Sequence, residues 1–274
     1  MELFVVDEKT CTRCGICGEA CPAKIIGSRD RKSVPVRLDG AEELCLVCGH
    51  CVAICPTGAL AHRSISPSQC PPVQKDWLLS PEHAEHFLRS RRSIRVYQAR
   101  SVDRDTLAKL VEIASYAPTG HNSQTVNWLI ISAPEEVQKM AGLVVDWMRR
   151  LIQELPQLAR EMHLERIVTA WDNGIDRICR SAPHVIVAHA AKDDRFAPNS
   201  CPIALAYLEL AAPSLGLGTC WGGYLTAAAG NWPPLQEALG LPEGHKCFGA
   251  VMAGYPKYKY QRLPLRRKPS VTWR

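Results

Sequence analysis

The sequence predicts an α+β protein in two parts, on three observations. Residues 1–60 hold a duplicated cysteine run, Cys11-x2-Cys14-x2-Cys17-x3-Cys21-Pro22 and Cys45-x2-Cys48-x2-Cys51-x3-Cys55-Pro56, with the copies 34 residues apart. Residues 61–79 are polar and proline-rich, with Ser64, Ser66, Pro67, Ser68, Pro71 and Pro72, and read as a linker. Residues 80–274 alternate helical apolar spacing with short apolar runs, the pattern of a larger helix-dominated domain with interleaved strands.

The elements of the larger part follow in order. Ser80-Pro81 predicts a helix start, with Ser as N-cap and Pro in the first helical position, and the helix runs to about Arg89. Leu107, Leu110, Val111 and Ala114 recur at helical spacing and predict a helix from near Asp103 to about Tyr116. Pro118-Thr119-Gly120-His121-Asn122 breaks it. Val126–Ser132 reads as a strand, and Pro134–Leu155 as a helix with Glu135 and Glu136 in its first turn. A second long helix is expected over Gln157–Arg180, a buried strand over His184–Ala190 and an apolar helix over Cys201–Leu215. Strands at Cys220–Tyr224 and Lys246–Gly254 complete the domain.

The cysteine spacing is the bacterial run that ligates [4Fe–4S] clusters, in which the fourth Cys serves the other cluster when two are present. Soft thiolates suit iron–sulfur cores, and the two-residue spacings let a tight loop aim three sulfurs inward. Gly15 and Gly49 follow the second Cys of each run, where backbone must pass close to the cluster. Two clusters are therefore expected. One takes Cys11, Cys14, Cys17 and Cys55; the other takes Cys45, Cys48, Cys51 and Cys21. Zinc sites favour paired CxxC units, and disulfide frameworks belong to small secreted chains, so both fit less well. Electron transfer is the chemistry implied. Cys70, in the linker, reads as a free cysteine.

Net charge is +6 and unevenly spread. Residues 1–60 hold 7 Lys/Arg against 8 Asp/Glu, whereas Lys257–Arg274 has seven Lys/Arg and no acid. With no aromatic–basic platform, that tail reads as a solvated positive face and no nucleic-acid partner is expected. No run of about 18 apolar residues occurs, and the first ten residues hold no export-type apolar region. No membrane association is expected, and reduced cysteine ligands point to the cytoplasm.

Three weaker segments fall in the larger part. Arg91, Ser93 and Arg95 alternate and could face one way on an extended segment, where guanidinium forks match phosphate. Residues 118–124 form a loop dense in small polar donors, and Arg262 follows Gly254-Tyr255-Pro256. Taken in order, Ser90-Arg91-Arg92-Ser93-Ile94-Arg95, Ala117-Pro118-Thr119-Gly120-His121-Asn122-Ser123-Gln124, Gly216-Leu217-Gly218-Thr219-Cys220-Trp221-Gly222-Gly223 and Gly254-Tyr255-Pro256 resemble the nitroreductase family of FMN enzymes over about residues 80–270. Residues 1–60 are similar to bacterial two-cluster ferredoxins. The whole chain resembles a fusion: a small two-cluster ferredoxin-like domain followed by a nitroreductase-like α+β flavin domain.

The resemblance implies FMN beside the two clusters. Arg91, Arg92, Ser93 and Arg95 match the family's phosphate and ribityl anchor, and Arg262 a C-terminal phosphate contact. Pro118, Thr119, Gly120, Asn122 and Gln124 match the loop that contacts flavin from the partner subunit, which implies a homodimer with FMN at the interface. Trp221, Gly222 and Gly223 match the segment whose amides approach flavin N5. The sequence departs from the family at Thr125, where proline is usual, and carries no acid beside Trp221. No GxGxxG fingerprint occurs, so reduced ferredoxin is the expected donor. The acceptor would be a nitroaromatic, quinone or activated alkene, and the cofactor carries the chemistry, with His121 as a candidate proton donor. Cys220 reads as a buried thiol. The alternative reading is an electron-transfer module that relays electrons to a protein partner.

Overall fold

The computed structural model describes residues 2–30 and 33–274. The chain divides into two compact units, residues 1–78 with 121–123 and residues 79–120 with 124–274.

In the first unit the sequence repeat becomes a repeat of elements. Strand β1 (Phe4–Val6) is followed by α1 (Ile16–Ala20), β2 (Ile26–Gly27), β3 (Val36–Arg37), α2 (Ala41–Leu44), α3 (His50–Ala53) and β4 (Leu60–His62). β1 pairs antiparallel with β4, Phe4 opposite His62, and β2 pairs with β3. Helices this short do not hold themselves in water, so packing must. Leu3, Ile25, Ile26, Val52 and Leu60 form the core, with Cys17 and Cys21 buried among them. The backbone repeats the 34-residue period as well. Arg13 and Val47, Gly15 and Gly49, and Lys24 and Gly58 all adopt left-handed φ, between 49° and 78°. A β-branched Val at φ 49° is strained on its own, and the surrounding loop has to enforce it.

The stretch expected as linker is partly structured. β4 takes in Ala61 and His62, Ser66 and Gln69 close a reciprocal cap on a short 3-10 turn at Pro67–Gln69, and Cys70 packs against the core of this unit. The unit ends at Leu78, because pairing to β1 carries the chain past residue 60.

The second unit is a sheet between two helix layers. It runs α4 (Pro81–Ser90), α5 (Arg104–Ala114), β5 (Asn127–Ile131), α6 (Pro134–Glu154), α7 (Pro156–Glu161), α8 (Leu164–Asp172), β6 (His184–Ala191), α9 (Ala197–Ala211), β7 (Gly218–Trp221), α10 (Gly223–Asn231), α11 (Pro233–Leu239) and β8 (His245–Gly254). The strand order is β5-β6-β8-β7, all neighbours antiparallel. Helices cover both faces, so the central strands read as continuous apolar runs instead of alternating ones. Val185 and Val187 of β6, with Ala250 and Met252 of β8, join the core under α6, α8, α10 and α11. Ile186, Ala188, Val251 and Ala253 join the opposite core under α5 and α9. In α6 the buried positions Val137, Met140, Ala141, Val144, Val145 and Met148 keep helical spacing.

Three expectations are corrected. Residues 157–180 do not form one helix. His163 takes φ 53° between α7 and α8, and beyond α8 the Asp176 carboxylate accepts N–H bonds from Ile178, Cys179 and Ser181, a local alternative to helical bonding. The strand expected at Cys220–Tyr224 is β7, shifted to Gly218–Trp221, and Gly223 already opens α10. The apolar helix begins at Ala197, four residues early, and ends in a 3-10 turn from Ala212 to Leu215. α10 and α11 had no counterpart in the sequence reading. The α10 sequence GYLTAAAGN is small and apolar all round, so no face stands out.

Two side chains set stability predictions. The segment Arg91–Tyr97 lies against β7 through the Ile94 N–H bond to the Thr219 carbonyl, 2.8 Å. A Cβ at Gly218 would meet Ile94 at 2.3 Å. Gly218→Ala should therefore cost about 1–3 kcal/mol by overpacking, read as a lower denaturant midpoint with an unchanged slope. His184 is 1% exposed, and its Nε2 accepts the Val102 N–H at 2.8 Å. Burial lowers its pKa, so the folded form stays neutral where the unfolded chain takes up a proton. The His184 contribution is fully present above about pH 6.5 and is lost as pH falls toward the lowered folded value. Urea midpoints measured above and below that pH should show it, and His184→Gln should flatten the dependence.

Candidate functional site

The structure brings seven of the eight predicted cysteines into two sets. Cys17 lies within electrostatic reach of Cys14 and Cys55, and burial raises its pKa, with those neighbouring thiols adding to the rise. Cys51 lies within reach of Cys48, Cys21 and Cys45, and burial first, then those thiols, pushes it up to about 11. The fourth Cys of each run has therefore crossed to the other set. Cys21, Cys45, Cys48 and Cys51 line one small cavity of about 30 Å³, walled by apolar Leu3, Phe4 and neighbours. Among the described residues, no three His, Cys, Asp or Glu side chains converge as they would on a single ion. A four-iron core spreads its thiolates wider than one ion does, and an all-thiolate donor set is what it requires.

Polar groups reach the sulfurs from β4 and the turn before it. Cys55 Sγ accepts the Ala59 N–H at 3.3 Å and lies 3.8 Å from Thr57 Oγ1. Burial raises the Cys55 pKa, but these bonds outweigh it and hold the thiol below its usual range, the protonation state a ligand needs. His62 Nε2 stands 3.7 Å from Cys45 Sγ. Its imidazole is held below the usual value by burial and then by Arg63. His50, by contrast, is exposed and sits 3.3 Å from the Cys48 carbonyl oxygen.

In the second unit Arg91 pairs with Glu209 at 3.3 Å. The Glu209 side chain is 7% exposed, and it also accepts from Trp221 Nε1 at 2.6 Å and from Thr219 Oγ1 at 3.3 Å. Arg91 and Trp221, which lie 130 residues apart, are thus joined through one carboxylate. Glu209 was missed from the sequence. The available signal was that it is the sole charged residue of α9, and a buried acid needs partners. It also supplies the acid that the sequence lacks next to Trp221.

The other anchor residues are dispersed. Arg92 bonds to the Arg89 carbonyl, while its Nε is buried with no partner among the described residues. Ser93 is half-buried, and Arg95 is exposed and shares a groove with Tyr258, Lys259 and Tyr260. Arg262 stands on the exposed tail beyond them. The Gly222 N–H is already bonded to the Ala250 carbonyl, 2.8 Å, so the unbonded amides of this segment begin at Gly223, in the first turn of α10. In the loop after α5, Pro118 is exposed, the Thr119 hydroxyl accepts the Gln124 N–H at 3.0 Å, and Gly120 packs where a Cβ would strike Phe196. His121, Asn122 and Gln124 all take left-handed φ. His121 is exposed. Residues 121–123 cluster with the first unit, where the Asn122 amide donates to the Leu46 and Val47 carbonyls, 3.1 Å each. Cys220 is buried, 5% exposed, as expected of a structural thiol.

Two sets of thiols in a small unit, and a second unit of antiparallel sheet between helix layers, define a two-domain redox protein. Residues 10–60 match the 4Fe-4S dicluster domain, and residues 88–255 match the Nitroreductase family. A protein of Archaeoglobus fulgidus with a provisional name, NADH dehydrogenase/NAD(P)H nitroreductase, is 27% identical over 176 residues, covering 64% of this chain and 87% of that protein. A nitroreductase of Desulfitobacterium hafniense, crystallised with bound FMN, superposes with TM-score 0.57 at 22% identity, over 71% of this chain and 99% of that one. A BluB-like flavoprotein of Clostridium difficile superposes with TM-score 0.55 at 18% identity, over 68% and 94%. The chain belongs to the nitroreductase family, a family of oxidoreductases, and carries an N-terminal 4Fe–4S dicluster domain. Among the described residues no helix is long and apolar enough to cross a membrane.

Proposed function

We propose that the protein is a cytoplasmic iron–sulfur flavoenzyme that takes electrons from a low-potential donor such as reduced ferredoxin and delivers them to a nitroaromatic, quinone or activated alkene. The observation that carries the reading is the crossing of Cys21 and Cys55 between the two thiol sets, in a chain whose larger part belongs to the nitroreductase family. When bound, the clusters supply one-electron transfer and FMN supplies two-electron hydride chemistry.

The chain's residues fit those groups. Cys11, Cys14, Cys17 and Cys55 would hold one cluster, and Cys45, Cys48, Cys51 and Cys21 the other. For FMN, Arg91, Arg92, Ser93 and Arg95 offer cations and a hydroxyl to a phosphate. The unpartnered Nε of Arg92 is a buried donor in want of an acceptor. Gly223 leaves its α-carbon open and lies in a helix first turn, where free N–H groups favour negative charge. Pro118, Thr119, Gly120, Asn122, Gln124 and Arg262 complete the binding set, in a homodimer with the flavin at its interface. Glu209 orients Arg91 and Trp221 for that set.

Anaerobically purified protein should hold about eight irons and one FMN per chain, the count set by two four-iron clusters and one flavin. Stopped-flow reduction by reduced ferredoxin should outpace reduction by NADPH, with turnover on a nitroaromatic or quinone. Slow turnover with every small acceptor, alongside fast reoxidation by a protein partner, would favour an electron relay instead.

A further inference from the structure

His62 is a buried polar residue whose ring has one partner on each nitrogen. It is 6% exposed on β4 and lines the cavity formed by Cys21, Cys45, Cys48 and Cys51. The Ser64 backbone N–H donates to its Nδ1 at 3.1 Å. A backbone amide can only donate, so Nδ1 is unprotonated and the proton of the neutral ring sits on Nε2. Nε2 faces Cys45 Sγ at 3.7 Å, within range for an N–H···S bond. Ser64 therefore sets the tautomer, and the tautomer makes His62 a donor to a cysteine sulfur. Partners of this outer kind orient ligands and tune the electronics of the metal group they surround.

The two halves of the repeat differ here. Shifting His62 back by the 34-residue period leads to Ser28, so the first half has a short hydroxyl side chain where the second has an imidazole. Hydrogen bonds to ligand sulfurs are among the factors that set cluster potential, and a donor stabilises the added negative charge of the reduced state. We infer that His62 is a positioning residue that raises the potential of the Cys45–Cys48–Cys51–Cys21 cluster alone, through its Nε2–H bond to Cys45. The inference rests on Cys45 being a ligand, as proposed above. It makes reduction of the second cluster more favourable than it would be without the imidazole.

The test is an EPR-monitored potentiometric titration of the full chain, alongside its iron count. His62→Phe, which keeps size and loses the donor, should shift one of the two couples to more negative potential and leave the other in place, with iron unchanged. His62→Gln, which keeps an N–H at similar reach, should restore most of the difference. The couple that moves should be the one surviving in Cys11→Ala, which removes the other cluster. Unchanged couples in His62→Phe, an equal shift of both, or movement of the couple lost with Cys11 would each overturn the inference. Loss of iron from both His62 variants would also overturn it, by assigning His62 to assembly. Cys45→Ala separates the underlying reading: full iron retention there would show that Cys45 is not a ligand, whatever the potentials do.

Discussion

Cys21→Ala should abolish the cluster held by Cys45, Cys48 and Cys51 and leave the cluster of the run in which Cys21 itself lies. About half of the iron should be lost, and EPR of the reduced protein should retain the signal that Cys45→Ala retains. The physical ground is the crossed arrangement: Cys51 is close to Cys21, and Cys17 is close to Cys55. Loss instead of the signal that survives in Cys45→Ala would show that each run serves its own cluster. Stability should fall as well. α1 and α3 are five and four residues long, and the exchanged ligand is a cross-link between the halves that contain them. Metal binding to a site absent from the unfolded chain adds directly to folding free energy. The variant should therefore unfold its first unit at lower denaturant than the parent.

Arg91→Ala should release FMN while leaving both clusters in place. A charge-assisted bond to phosphate contributes about 1.5–3 kcal/mol, so retention should weaken about 10- to 100-fold, measured as flavin remaining after dialysis. Stoichiometric flavin after dialysis would remove Arg91 from the phosphate site. Glu209 provides the complementary test. Glu209→Ala strips the partner from Arg91 and from the Trp221 indole, two groups that are only partly exposed. Leaving them unpaired should cost about 1–3 kcal/mol of stability. Glu209→Gln keeps one acceptor oxygen for the indole, its amide NH2 can donate to the Thr219 hydroxyl, and it should recover part of that loss. Flavin binding should weaken in both Glu209 variants if the carboxylate orients Arg91, and only the alanine variant should be strongly destabilised.

Sites whose chemistry is written in short spacing were legible, and those assembled by tertiary contact were not. The cysteine runs lie within eleven residues each, and their period of 34 reappears in the backbone as paired left-handed positions. The loop at 118–124 and the Arg91–Arg95 segment were visible as polar clusters. Glu209 was not, because its partners come from residue 91 and from β7, and a single acid in an apolar helix does not show which partners will meet it. Gly222 shows the same limit at finer scale. Its position marks the turn, but its N–H bond to Ala250 is made across the sheet, and only that bond moves the free amides on to Gly223. α10 escaped notice because its small, apolar sequence has no polar face to mark its period, and α11 because seven residues are too few to show one. The break at His163 escaped because nothing in the local residues forbids helix there.

By itself the sequence determined the cofactor class of the first unit, the crossed ligand scheme as an expectation, the α+β character of the second, and the family that both segments resemble. Those properties depend on residue type at close spacing, where the chain's own geometry limits what the side chains can do. Only the tertiary structure decided that Glu209 joins Arg91 to Trp221, that residues 61–78 belong to the first unit, and that His62 turns its Nε2 toward Cys45. Each of these depends on bonds between residues far apart in sequence or on the tautomer a neighbour imposes, and spacing along one strand of text carries neither.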